Sequence, residues 1–379
     1  MDFLVRQIGY GGFDGVPTFG LMGDWCSIEP FCPGSSDQCL VDPGWTGAGD
    51  ATTSFYFVKD LEVLVALATV VGHHSERDYY EQLLITARQG YYKAYWNSTS
   101  KDFGPTQTGN ALGILASPVT ADTSGAVQTL LSNIQSHNGT LTCGAVGARW
   151  ILQALDYVNE SSAALDLATQ TGPPSWYWFA ANGPGTLHEQ WPRGPTPSGV
   201  TVGSLNHIML GGGIGVWLYE SVGGLRVRFD ADRLATVFHF GVTKQVVARV
   251  GHASAQTSVG SGYTVRSTWF YDAAKQQLRF NCTVPPTFFP QTDGVNRTVI
   301  ASSLASYSRS SFTSATTRAT LTIPWSATAV VRESGLEVWG SNGFAAASLP
   351  VGVLTPSLDQ QQAVLTIPLS GAGDYRFVV

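Results

Sequence analysis

The stretch SLNHIMLGGGIGVWLYESVGG, residues 204–224, decides how the chain divides. Its apolar residues recur at helical spacing and it closes on a glycine pair, so it reads as a helix with a terminator. From Leu225 the texture changes. Short alternating runs follow, RSTWFYD (266–272), QLRFNCTVP (277–285), RATLTIPW (318–325), AVVRESGLEVWG (329–340), AVLTIPLSG (363–371) and DYRFVV (374–379), broken by turn residues. That pattern predicts an antiparallel β-sandwich over 225–379 behind a helical domain over 1–224. The triple glycine at 211–213 is no phosphate loop, because no strand precedes it and no Lys-Ser pair follows.

Working back from that stretch, further helical patterns lie between Gly/Pro-rich loops. They are TTSFYFVKDLEVLVALATVVG (52–72), ERDYYEQLLITARQGYYKAYWN (76–97), NALGILA (110–116), TSGAVQTLLSNIQSH (123–137), AVGARWILQALDYVN (145–159) and SAALDLATQ (162–170). About seven helices therefore precede Leu225. The connection GHHSERD (72–78) holds two histidines beside acidic residues, but adjacent histidines between helices read as a solvated linker, and no metal is expected.

Composition limits the function. A chain of 379 residues, 44% hydrophobic and only 13% charged, can bury a large core. Its net charge of −6 offers no footprint for nucleic acid or an anionic membrane surface, and no apolar run reaches membrane-spanning length. The 11 Trp, 14 Tyr and 18 Phe suit stacking on sugar rings, although most belong in cores. Five N-x-[ST] sequons, at Asn97, Asn138, Asn159, Asn281 and Asn296, point to passage through a secretory pathway. Clustered Cys26, Cys32 and Cys39 fit disulfides of an oxidising compartment better than a metal site. With Cys143 and Cys282 the count is odd, and MDFLVRQIGYGG at the start has neither the basic end nor the apolar core of a signal peptide.

The loop NGPGTLHEQWPRG (182–194) sets Glu189 between a histidine and an aromatic stretch, flanked by glycine and proline. An irregular loop on a rigid scaffold is where catalytic groups gather, yet a lone carboxylate there could as well cap neighbouring backbone. Its surroundings change the odds. GDW (23–25), TQTGNALGI (106–114), LTCGAVGARWILQAL (141–155), PPSWYW (173–178), GTLHEQW (185–191) and the opening stretch, in that order, resemble the bacterial and fungal α-L-rhamnosidases of glycoside hydrolase family 78. The likeness continues through ATLTIPWSATAVV and the closing LSGAGDYRFVV.

That resemblance implies a catalytic (α/α)6 barrel, here incomplete, followed by the antiparallel β-sandwich, and inverting hydrolysis of terminal α-L-rhamnose without a cofactor. It makes Glu189 the general base and carries over His207, Asp24, Trp25 and Trp191 as sugar contacts. Inversion needs a second, protonated carboxyl group about 6.5–9.5 Å from the base. The family's acid segment, of the type ER-x-GW-x-GD, has no counterpart between Met1 and Gly23; VDPGWTGAGD (41–50) reads as a loop instead. The chain therefore resembles the C-terminal part of a secreted rhamnosidase acting on a rhamnose-containing glycoside or polysaccharide. Two alternatives stay open: a sugar-binding protein without turnover, and another helical-barrel carbohydrate enzyme using Asp24, Glu29, Asp42 or Asp50 as acid. A half barrel would leave an apolar face uncovered, a surface for self-association.

Overall fold

The computed structural model describes residues 15–17, 24, 51–182, 186–189, 191, 204, 206–230, 235–259, 263–275 and 277–284, and beyond these the strands between 319 and 378 by their backbone. Trp25, Glu29, Asp42, Asp50, Asn296 and the cysteines at 26, 32 and 39 lie outside the described residues. Contacts divide the chain into two compact units, Met1–Ala68 with His73–Trp217, and Thr69–Gly72 with Leu218–Val379.

The first unit is helical. Its helices are α1 (Ala51–Val70), α2 (His74–Tyr95), α3 (Gln107–Ala116), α4 (Ser124–Ser136), α5 (Ala145–Tyr157), α6 (Ser161–Ala168), α7 (Trp176–Asn182) and α8 (Ile208–Trp217). The sequence pattern misses α7, whose run WYWFAAN shows no amphipathic period. Its start is nevertheless marked, since the Ser175 hydroxyl accepts the Trp178 N–H at 3.0 Å. α1 packs Phe57, Val58 and Leu61 against Ala87, Leu83 and Leu84 of α2. Arg88 on α2 pairs with Glu62 and donates to the carbonyls of Leu115, Ala116 and Ser117 at the end of α3. A cation there meets the negative end of the helix dipole.

The opening stretch is not one helix. Ser204–His207 stands outside α8, which begins at Ile208, and the last turn, Leu218–Val222, widens to a π-helical one. The triple glycine serves packing: a Cβ on Gly213 would sit 2.5 Å from the Ala148 carbonyl oxygen and 2.6 Å from Arg149 Cα, so only glycine lets α8 lie this close to α5.

The second unit is a β-sandwich of two sheets, built from β1 (Leu225–Asp230), β2 (Ala235–Gly241), β3 (His252–Val259), β4 (Tyr263–Asp272), β5 (Gln277–Val284), β6 (Ala319–Pro324), β7 (Val331–Glu333), β8 (Leu336–Gly340), β9 (Gly343–Phe344), β10 (Ser357–Asp359), β11 (Val364–Leu369) and β12 (Gly373–Val378). The sheet orders are β1-β2-β6-β11-β10 and β3-β4-β5-β12-β7-β8-β9. Alternation is plain in the second sheet, where Val265, Ser267 and Trp269 of β4 are buried opposite Phe280 and Cys282 of β5. Two features depart from the purely antiparallel expectation: β2 pairs with β6 in parallel, and a short helix, α9 (Lys244–Val250), joins β2 to β3.

Candidate functional site

Sequence motifs far apart in the chain meet at the N-terminus of α5. The first turn of that helix leaves backbone N–H groups without helical partners. Asp24, 1% exposed, takes them: Gly144 donates to Oδ2 at 2.6 Å, and Val146 and Gly147 donate to Oδ1 at 2.9 Å each. The Thr108 hydroxyl adds a fourth donor. Burial pushes the Asp24 carboxyl above the usual carboxylate range, opposed by the Thr108 hydroxyl and the three N–H groups. Gly147 makes the approach feasible, because a Cβ there would lie 2.2 Å from Thr108 Oγ1 and 2.4 Å from Cys143 Cβ.

The other polar residues of TQTGN are equally committed. Gln107 donates to the Thr140 carbonyl and accepts from Thr142 N–H, each at 2.9 Å, so its amide pins the strand of chain that leads into α5. Asn110 accepts from Phe103 N–H and donates to the carbonyls of Gly104 and Thr106. This motif is architecture, and its buried amides explain why polar residues stand in an otherwise apolar helix.

The same hub holds Trp191. Its Nε1–H donates to the Cys143 carbonyl at 2.7 Å, one residue before the first donor to Asp24. Its ring stacks on Phe179, centroids 5.2 Å apart at 20°, and meets Trp176 edge-on at 5.9 Å. At 2% exposure, Trp191 is a packing residue. Asp24 and Trp191, expected as sugar contacts, are both enclosed, and their polar atoms make these hydrogen bonds within the fold. Trp25, named with them, lies outside the described residues.

Glu189 stands differently. It is half-buried, two residues before the anchored Trp191. The segments Thr186–Glu189 and Ser204–His207 run side by side, with Glu189 N–H donating to the Ser204 carbonyl at 2.9 Å and His207 N–H to the Leu187 carbonyl at 2.6 Å. Ser204 N–H in turn donates to Glu189 Oε2 at 2.8 Å. Backbone therefore holds Glu189 Oε2, and the base and His207 candidates are brought onto paired segments. His207 Nδ1 is buried and has no hydrogen-bond partner among the described residues.

Sequence reasoning passed over His188. It is 2% exposed, packs against Phe179 with ring centroids 4.8 Å apart, and neither ring nitrogen has a partner among the described residues. Burial holds its pKa below the ordinary histidine value. The signal was present, a histidine beside the candidate base, but nothing in sequence distinguishes a buried imidazole from an exposed one. Elsewhere, His73 lies on the surface 3.7 Å from Glu76, and no group of three or more metal-ligating side chains occurs among the described residues. No described helix is long and apolar enough to cross a membrane.

The chain is similar to known proteins. An α-L-rhamnosidase of Formosa agariphila is 27% identical over 279 residues, covering 72% of this chain and 28% of that protein. The solved α-L-rhamnosidase of Dictyoglumus thermophilum superposes with a TM-score of 0.67 at 20% identity, covering all of this chain and 35% of its own. That of Streptomyces avermitilis, solved with L-rhamnose, gives 0.64 at 20% identity, covering all of this chain and 29% of its own. The chain thus spans about a third or less of the length of these relatives. The family model for the bacterial α-L-rhamnosidase six-hairpin glycosidase domain matches residues 15–222, more than half the chain, and the chain belongs to that family.

Proposed function

We propose that this chain is the base-bearing part of an inverting α-L-rhamnosidase, with Glu189 as the carboxylate that deprotonates water against the anomeric carbon of a terminal α-L-rhamnose. One observation carries the reading: Glu189 is a half-buried carboxylate whose Oε2 is positioned by the Ser204 N–H, on a segment paired through backbone with the one that bears His207. A base must be held in place to act, and a backbone donor on a carboxylate oxygen does that. His207, on the paired segment, serves as the sugar contact on this reading, its Nδ1 having no partner among the described residues. Trp25 keeps its role as a stacking contact. The solved relative with L-rhamnose supports a rhamnose-containing glycoside or polysaccharide as the substrate class.

The second carboxyl group is not Asp24, whose two oxygens face four donors in the core. On this reading the 379-residue chain alone does not turn over an aryl α-L-rhamnoside, since a general acid contributes about 10²–10⁴ in rate. Efficient cleavage by the purified chain would place the acid at Glu29, Asp42 or Asp50 and discard the division of labour. The burial of Asp24 also favours the second reading, sugar binding without turnover. Calorimetric titration with rhamnose tests it, and absence of heat at millimolar sugar sinks it.

We assign residues 1–224 to the glycosidase domain and 225–379 to the β-sandwich domain. Self-association has a surface to use: Tyr56, Val63 and Leu67 recur at helical spacing on α1 and are 36%, 56% and 53% exposed. Sedimentation that stays monomeric across micromolar concentrations would remove that proposal. The sequons support secretion, which peptide mapping of the native protein for attached sugars checks.

A further inference from the structure

A groove of about 680 Å³ lies between the loop that follows α2 and the exposed side of α4, and most of its lining side chains carry a hydroxyl or an amide. Its walls are tied together by Asp102, 7% exposed, which accepts from Ser100 Oγ at 2.7 Å and Gly104 N–H at 3.0 Å on the loop side. Thr129 of α4 donates to its other oxygen at 3.0 Å. The oxygens of this carboxylate are thus taken up by bonds within the fold. Along α4, Gln128, Ser132 and Ser136 recur every four residues and form one exposed polar line. The side chains of Gln128 and Ser132 have no hydrogen-bond partner among the described residues, leaving an amide and a hydroxyl for a ligand rich in hydroxyl groups.

At the rim of this groove stands Asn97, first residue of the sequon Asn97-Ser98-Thr99. Every polar atom of Asn97 but one is used. Its N–H donates to the Asp102 carbonyl at 2.9 Å, its carbonyl accepts from Lys101 N–H at 2.7 Å, and its Oδ1 accepts from the N–H groups of Thr99 and Ser100 at 2.9 and 3.2 Å. The turn thereby fixes the amide plane and leaves Nδ2 as the uncommitted group of an exposed residue. The other described sequons differ. The Thr140 hydroxyl of the Asn138 site is bonded to the His137 carbonyl, the Ser161 hydroxyl of the Asn159 site is buried against Asp156, and Asn281 lies within β5. Asn97 is the sequon asparagine that also lines the groove.

We propose that Asn97 carries an N-linked oligosaccharide whose first sugars lie in this groove against Gln128 and Ser132. The transfer joins Asn97 Nδ2 to the anomeric carbon of a polyprenyl-diphosphate-linked oligosaccharide. The anomeric carbon–oxygen bond breaks, the diphosphate leaves with the electron pair, and the amide gives up one proton. The inference rests on the proposed passage through a secretory pathway and is independent of the rhamnosidase reading, because α4 and the Asn97 loop carry none of that reading's residues.

The test uses the full chain behind a cleavable secretion leader in a eukaryotic host, with modified asparagines converted to labelled aspartate by amidase release in heavy-oxygen water and located by mass spectrometry. The expected result is label at Asn97, lost in Thr99→Ala, which removes the sequon while keeping the Asn97 Oδ1 bonds to backbone. Release of the Asn97 oligosaccharide from the native protein should be several-fold faster in the folded double variant Gln128→Ala/Ser132→Ala than in the parent. An unlabelled Asn97 peptide in the secreted protein overturns the site, and an unchanged release rate in the double variant overturns the groove as its bed.

Discussion

Two carboxylates, Asp24 and Glu189, sit close to the same motif-bearing segments and are treated oppositely. Asp24 is enclosed and answers four donors at the head of α5. Glu189 is half-buried, with Ser204 N–H on one oxygen, and its neighbours His188 and His207 bring buried ring nitrogens that no described residue satisfies. A buried polar atom without a partner costs roughly 1–3 kcal/mol, so a fold leaves such atoms where something else completes them. The contrast separates what holds this molecule together from what it holds ready.

The strongest way to break that contrast is to neutralise Glu189. In a form of the protein that carries the general acid, Glu189→Gln should lower hydrolysis of an aryl α-L-rhamnoside by about 10²–10⁴ with the melting temperature unchanged. Near-normal turnover would remove Glu189 from the base role. Asp24→Ala should do the reverse. It strands the donors at the head of α5, and urea unfolding should show a loss of about 2–4 kcal/mol. A stable Asp24→Ala protein with weakened sugar binding would return Asp24 to the substrate.

Trp191→Phe keeps the ring stack on Phe179 but deletes the bond to the Cys143 carbonyl. The expected cost is about 1 kcal/mol in stability with rhamnose affinity unaltered. A fall in affinity without a fall in stability would reinstate Trp191 as a sugar contact. The smallest effect is expected from His188. Its folded pKa lies below the unfolded value, so the unfolded chain binds the proton first as pH falls. The stability that neutral His188 preserves is complete above the ordinary histidine range and is lost as pH falls from there toward the lowered folded value. His188→Leu should flatten that part of the acid limb in a stability–pH profile, and an unchanged limb would show that the imidazole titrates normally.

Legibility in the sequence follows the range of the interactions concerned. The periodic helices from α1 to α6 were readable within a residue or a few of their ends, because a 3.6-residue apolar period is local information. α7 was not, since a short aromatic run between proline and glycine carries no period, and its Ser175 cap was the sole marker. The opening stretch was read as a single helix, whereas Ser204–His207 pairs with Thr186–Glu189. That pairing depends on chain fifteen or more residues away. The parallel partnership of β2 with β6 is likewise non-local.

The candidate site shows the same division. Motif order alone brought Glu189 and His207 forward, and by the same route it brought Asp24 and Trp191 forward. The two pairs separated only in three dimensions, because burial and donor count are properties of neighbours. Thr108 is 84 residues from Asp24, and Cys143 is 48 from Trp191. By itself, then, the sequence determined the helical and β halves, the family likeness and the names of the candidate residues. The tertiary structure decided which carboxylate is enclosed in the core and which stands half-buried on paired loop segments, since solvation and hydrogen-bond saturation exist only once distant segments have met.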